Sequence, residues 1–359
     1  MKKAIYLWTI IIMIILLPNE IHSQEKQITN AYKENTIKEI SVLIKNHYVL
    51  KEKRNDIVSK LSKIYLEGIY DTINNAAKFA YQLTSDLHDI SNDGHFSIVY
   101  DPSRVDELRI VDDDGEPNKE ALKKLEESEK RRLEQRKRNN FGFKKVEILS
   151  GNIGYLDFRF FSGDSLAFET AHGAMAFLSN SDALIIDLRE NHGGGAAMYQ
   201  LLSSYFFGEE PILMGEIYNG LSDETQQFWS DPDIVRFNIP EIDLYILISK
   251  KTFSAAEEFA YDFKQLKRAI IVGENSGGGA HMATRMIIND DFYIFMPFAG
   301  AINPITKSNW EGVGVIPDVK INSDDALKRA HILSLQEILH KTTDEEYKTK
   351  LESLLQNLM

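Results

Sequence analysis

Ser254 is a candidate for covalent chemistry and equally a candidate helix cap. In KKTFSAAEEFAY, residues 250–261, it separates an apolar run, LYILIS, from a stretch with helical periodicity, SAAEEFAYDFKQL. A serine at a strand-to-helix turn shows its hydroxyl beside the unpaired N–H groups of the helix start, where α/β enzymes expose nucleophiles. The same serine fits a capping box, because Glu257 follows three positions later and its carboxylate can return to the cap N–H. The segment alone leaves both readings open, and it lacks the GxSxG of the hydrolase elbow. The chain has no cysteine, so covalent catalysis falls to Ser, Thr, Lys or a carboxylate, and disulfides and thiolate-bound zinc are excluded.

Three further segments carry groups that could serve such a serine. His95 follows a glycine in SNDGHFS, and an imidazole titrates near neutral pH and can take a proton from a hydroxyl. In ALIIDLRENHGGGAAMYQLL a buried strand runs through Asp187 and Arg189 into Gly193, Gly194 and Gly195 ahead of a helix. Glycines allow backbone that other residues avoid, and N–H groups at a helix start can hold an oxyanion. The lysine of a phosphate loop is missing, which argues against a nucleotide. Glu311, in NWEGVGVIPDVKI, is either a turn residue or a carboxylate that orients a histidine or a water. No metal site is expected: the nine histidines are scattered, there is no HExxH, and His192 and His281 are not at ligand spacing with a carboxylate.

The elements that must position these groups follow from the patterning. From Ile28 to about Ile90 apolar residues recur at helical spacing, which predicts a small helical bundle. Residues 106–145 are dense in charge of both signs, as in EALKKLEESEKRRLEQRKRNN, and read as a solvated connecting helix. Beyond it VEIL, IGYLDFRF, ALIIDLR, LYILIS, AIIVGE and YIFMPF alternate with helical stretches, and the nearly continuous apolar runs read as strands buried on both faces of an α/β core. The chain from Asp324 returns to helix. At the other end, two lysines, an apolar run from Ile5 to Leu17 and a polar approach to Ser23 read as a signal peptide, with an uncleaved anchor as the alternative. The net charge of -13 argues against a nucleic-acid partner.

Seven segments in order, NDGHFS, NFGFKKVEIL, GNIGYLDFRFF, ALIIDLRENHGGG, TFSAAEEFAY, AIIVGENSGGGAH and EGVGVIPDV, resemble the S41 peptidase family of tail-specific or C-terminal processing proteases. The nearest branch includes bacterial homologues of interphotoreceptor retinoid-binding protein. The resemblance implies a ClpP/crotonase-like α/β core behind an N-terminal helical bundle. The charged segment is too short for a PDZ domain and lacks its strand pattern. Expected boundaries are a signal peptide over 1–23, helical domain 24–100, connector 101–145, protease core 146–323 and C-terminal helices 324–359.

By the same resemblance Ser254 is the nucleophile. The Ser-Lys dyad of the processing branch is absent, since Gly279 stands at its lysine position, and the tricorn-like branch maps its base and carboxylate onto His95 and Glu311. That branch has a serine before its histidine where this chain has Gly94; Ser97 or Ser91 are candidates to hold the ring. Oxyanion donors carry over to the N–H of Ala255 and to the loop of Gly193 and Gly194. The implied protein is a periplasmic or secreted serine peptidase acting on peptides or unfolded and C-terminal segments, with no cofactor, metal, nucleic acid or stable membrane insertion. The alternative is a non-catalytic carrier of apolar ligands, for which Phe158, Phe160 and Phe161 supply aromatic surface.

Overall fold

The computed structural model describes residues 26–109 and 119–358. The leader expected over residues 1–23 lies outside them, and among the described residues no helix is long and apolar enough to cross a membrane.

The chain opens with helices α1 (Asn30–His47), α2 (Arg54–Leu66) and α3 (Ala76–Ser91). Thr29 and Asn75 cap α1 and α3 by accepting the N–H of Tyr32 and Lys78 at 3.2 and 2.9 Å. Helix α3 stops at Asn92, whose left-handed backbone (φ 54°, ψ 40°) suits asparagine and turns the chain into strand β1 (Ser97–Tyr100). Helices α4 (Pro102–Leu108) and α5 (Lys119–Arg138) follow, the latter being the charged segment.

Next come β2 (Phe143–Leu149), β3 (Ile153–Phe158), α6 (Leu166–Leu178), β4 (Ala183–Asp187), α7 (Ala196–Ser204), β5 (Leu213–Asn219) and β6 (Glu224–Trp229). The last third holds β7 (Asp243–Ile248), α8 (Ala255–Gln265), β8 (Ile270–Gly273), β9 (His281–Ile287), β10 (Phe292–Ile302), β11 (Val319–Lys320), α9 (Ser323–Lys341) and α10 (Glu345–Leu358).

Two sheets result. One runs β11-β8-β7-β4-β3-β2, parallel except for the antiparallel edge β2. Both of its faces are buried, as the apolar runs predict. Along β4, Ala183 and Ile185 pack on α9 and α10, whereas Leu184 and Ile186 face the core with α6, α7 and α8. The other sheet is antiparallel, β1-β10-β5-β6 with β9 also on β10. The strands with no apolar run in the sequence lie here; β6, for example, buries only Phe228, so partners rather than hydrophobicity define it.

The topology carries one consequence for the site. Strand β1 leaves the helical bundle and pairs with β10, Ser97 opposite Phe295 and Tyr100 opposite Phe292. Phe292 is fully buried, with its ring 5.5 Å from Tyr100 and 6.2 Å from both Tyr32 and Phe79, so it fastens the bundle to the sheet. Phe292→Ala should cost about 3–5 kcal/mol of unfolding free energy in urea titrations, as for buried aromatics generally; a loss under about 1 kcal/mol would show that the bundle is held some other way.

Candidate active site

Ser254 ends the turn after β7 and begins α8, with φ 55° and ψ -127°. A non-glycine residue there carries strain of about 1–3 kcal/mol, which persists only where surrounding contacts impose it. Glu257 imposes it. Its fully buried carboxylate accepts the Ser254 N–H and the Gly279 N–H on Oε2, both at 2.9 Å, and the Gly278 N–H (2.6 Å) and the Ser276 hydroxyl (2.5 Å) on Oε1. The Glu257 N–H donates to the Ser254 carbonyl at 2.8 Å. The glutamate arm of the capping box is therefore present, and it reaches beyond the helix to hold a second loop.

The glycine loop is pressed against this turn. A Cβ on Gly193 would lie 2.8 Å from Ala255 N, Phe253 O and Ser254 Cβ, so only glycine fits. Asn191, which the sequence reading did not single out, ties the parts together: its carbonyl accepts the Phe253 N–H at 3.1 Å, its Nδ2 donates to Phe158 O at 2.9 Å and its Oδ1 accepts the Gly193 N–H at 2.8 Å. The Gly193 N–H is thus engaged. The N–H groups of Ala255 and Gly194 donate to nothing among the described residues. Gly279 has its own reason: a Cβ there would come within 2.1 Å of Phe253 Cζ, so the ring of Phe253 occupies the room a lysine would need.

His95 sits in the turn between α3 and β1. Its Nδ1 is 2.9 Å from Asp93 Oδ1, which also accepts the His95 backbone N–H at 3.0 Å, and 3.4 Å from Glu311 Oε1. Asp93, rather than Ser91 or Ser97, holds the ring. Ser91 acts one step back by accepting the Asp93 N–H at 3.1 Å, and the Tyr48 hydroxyl donates to Asp93 Oδ2 at 2.9 Å. Glu311 Oε2 accepts the N–H groups of Ala280 and His281 at 2.7 and 3.0 Å. His281, which spacing set apart from any carboxylate, has its Nδ1 3.5 Å from Asp93 Oδ2 and 3.7 Å from Glu311 Oε2. Those separations are long, and its Nδ1 makes no hydrogen bond, so His281 counts as an electrostatic neighbour.

The two halves meet along one strip of backbone. Gly278 and Gly279 bond to the carboxylate that fixes Ser254, and Ala280 and His281 bond to the carboxylate beside His95. No hydrogen bond joins Ser254 to His95 among the described residues. With Nδ1 facing Asp93, Nε2 is the ring nitrogen left to take a proton.

Charge follows this geometry. Burial works to raise the Asp93 carboxyl, but the imidazoles of His281 and His95, the His95 N–H and the Tyr48 hydroxyl outweigh it and hold Asp93 well below the usual carboxylate range. The His95 ring is raised above 6.5, first by its hydrogen bond to Asp93, against a lowering by burial, with further support from the Glu311 charge.

The aromatic residues of the carrier reading divide. Phe158 and Phe161 are fully buried, their rings 4.8 Å apart in the core, and Phe160 is partly exposed. It lines a cavity of about 650 Å³ whose wall is mostly basic, with Arg132, Arg136, Arg138, Lys144 and Arg159 against the single acid Glu190.

Comparison with known proteins adds an independent finding. Residues 152–321 match the model of peptidase family S41, and residues 27–135 match the model described as the N-terminal domain of Peptidase_S41 in eukaryotic IRBP. A tail-specific protease of Haemophilus influenzae is 31% identical over 104 residues, 27% of this chain and 13% of that protein; the chain thus spans a small part of that relative. Among solved structures, a putative peptidase from Parabacteroides merdae superposes with a TM-score of 0.59 at 16% identity, covering 84% of this chain and 96% of the other. The photosystem II D1 C-terminal processing protease gives 0.54 at 14% identity, covering 83% and 94%. At such identities these two share the fold.

Two measurements probe the site. Glu257→Gln sets an amide NH₂ against N–H donors and should lower stability by about 2–3 kcal/mol in chemical denaturation; no change would mean that the turn does not depend on Glu257. In NMR titration the His95 ring should show a midpoint above 6.5 that falls in Asp93→Asn. In the wild type a raised value of this kind stabilises the fold fully below pH about 6.5 and is lost as pH rises through the folded midpoint. The depressed Asp93 acts in the opposite sense, stabilising above pH about 4 and losing that contribution as pH falls. An unmoved midpoint in the variant would refute the pairing.

Proposed function

The chain belongs to peptidase family S41, and from that premise we propose that it is an exported serine peptidase cutting peptides or unfolded and C-terminal protein segments. The observation that carries the reading is the strained Ser254 turn at the N-terminus of α8, packed against Gly193 and flanked by the unengaged N–H groups of Ala255 and Gly194. Backbone held in a sparsely populated conformation at a helix start is where a nucleophile is exposed and an oxyanion is met by fixed dipoles.

In the proposed reaction Ser254 Oγ attacks the scissile carbonyl while His95 Nε2 accepts its proton. Asp93 keeps the Nδ1 proton in place and stabilises the imidazolium, with Glu311 as a second carboxylate on the same side. This gives Asp93 the orienting role that the sequence reading assigned to Glu311, which supports the ring by charge and anchors the loop at 280 and 281. The tetrahedral oxyanion lies against the N–H of Ala255 and Gly194, each worth roughly 3 kcal/mol in well-studied hydrolases. The imidazolium returns its proton to the leaving amine, and a water activated by the same ring releases the acyl enzyme. Substrate joins the two halves of the site, since hydrogen bonds of this kind tighten in the Michaelis complex. The charged wall of the cavity at Phe160, with its arginines, Lys144 and Glu190, favours a peptidase over a carrier of apolar ligands.

Ser254→Ala should reduce hydrolysis of an unfolded protein substrate by at least about 10³-fold with the melting temperature nearly unchanged, and a fluorophosphonate should label wild-type Ser254. Retained hydrolysis in the variant, or a wild-type protein inert to the probe, overturns the assignment.

A further inference from the structure

We propose that Asp93, His95, His281 and Glu311 together bind one divalent transition-metal ion of the zinc class, and that the bound ion switches His95 off as a base. One donor atom from each residue lies within 4.8 Å of every other. The four imidazole-to-carboxylate separations are 2.9, 3.4, 3.5 and 3.7 Å. His95 Nδ1 faces Asp93 Oδ1 and Glu311 Oε1 while His281 Nδ1 faces Asp93 Oδ2 and Glu311 Oε2, so both carboxylates lie between the two rings; a tetrahedral ion with ligands at about 2.0–2.1 Å needs donors about 3.3 Å apart, a spacing within the span of the cluster. Two imidazoles with two carboxylates neutralise a divalent charge. The nitrogen donors favour zinc and its neighbours over magnesium or calcium, which take oxygen.

A second observation points to the same ligand. The His281 side chain is only 4% exposed, and its Nδ1 is turned toward both carboxylates without a hydrogen-bond partner. Leaving a buried polar atom unsatisfied costs about 1–3 kcal/mol, which coordination removes. The groups behind the ligands are also in place: Tyr48 fixes Asp93, and the N–H groups of Ala280 and His281 fix Glu311. His95 and Glu311 are partly exposed, at 21% and 23%, so the cluster opens to solvent on their side.

The consequence for the ring is a matter of lone pairs. Coordination uses the Nδ1 lone pair, the remaining ring proton sits on Nε2, and Nε2 then has nothing with which to receive the Ser254 proton. Binding stands on the cluster alone; the loss of base function rests on the proposed role of His95.

The test uses the full protein stripped with a chelator. Zinc binding is measured by competition with a chromophoric chelator in wild type, Ser254→Ala and His281→Phe. We expect one equivalent in wild type and in Ser254→Ala, affinity at least tenfold weaker in His281→Phe, and a zinc-dependent rise in melting temperature in the first two only. Cobalt(II) in the wild type should give the intense visible bands of four-coordinate nitrogen and oxygen ligation, a readout that needs no variant. Absence of stoichiometric zinc, equal affinity in a folded His281→Phe, or a six-coordinate cobalt spectrum overturns the site. Zinc should also slow fluorophosphonate labelling of wild-type Ser254, reversibly on adding chelator. Tight zinc with undiminished labelling overturns the switch, whereas tight zinc on a protein never labelled leaves the metal site standing and counts against the catalytic reading.

Discussion

Burying a carboxylate costs several kcal/mol unless its oxygens are filled, and Glu257 meets that demand with donors from two separate segments: the Ser254 N–H from the turn before α8, and the Ser276 hydroxyl with the N–H groups of Gly278 and Gly279 from the loop after β8. Each donor is thereby fixed in place. The Ser254 turn is held at its positive φ, and Gly278 and Gly279 start the strip that continues to Ala280 and His281 and so to Glu311. The close fits at Gly193 and Gly279 follow, because both lie against backbone or side chains next to Ser254. One satisfied charge thus sets the relative position of groups more than fifty residues apart in sequence.

The second constraint is where the histidine comes from. His95 belongs to the bundle by sequence but reaches the site because β1 is a strand of the antiparallel sheet, paired with β10. The nucleophile candidate is carried by the parallel sheet through β7. The site therefore lies between two layers with separate hydrophobic cores, one around the bundle and one around α6, α7 and α8, and the stretch from Gly278 to His281 connects them.

What the sequence revealed and what it hid divide along physical lines. The runs ALIIDLR and LYILIS announce β4 and β7 because both faces of a parallel strand are apolar, and the α/β architecture is legible from them. Strands β5, β6 and β9 leave no such mark, since one face of that sheet is polar and exposed. Asp93 was within reach, two residues before His95 in the same NDGHFS turn, and an aspartate at that spacing accepts the backbone N–H of the residue it orients. The proximity of His281 to Asp93 and Glu311 was not, because it depends on the pairing of β9 and β1 with β10. Gly279 could be seen to displace a lysine, but the ring of Phe253 that requires a glycine there appears only in three dimensions.

The pairing of β1 with β10 also bears on the order in which the molecule is made. A chain synthesised from its N-terminus exposes the bundle first and the Ser254 turn much later, and contacts of such long sequence separation form late. The strand β1 that follows His95 has no sheet partner until residues 292–295 have been made, and His95 has no Glu311 beside it until the loop after β10 is complete. If Ser254 and His95 react as proposed, a nascent chain that has passed Ser254 but not yet Glu311 carries the nucleophile without an organised base. Hydrolytic competence then waits until the chain has been made through Glu311, because the pairing of β1 with β10 and the loop after β10 assemble the base side of the site.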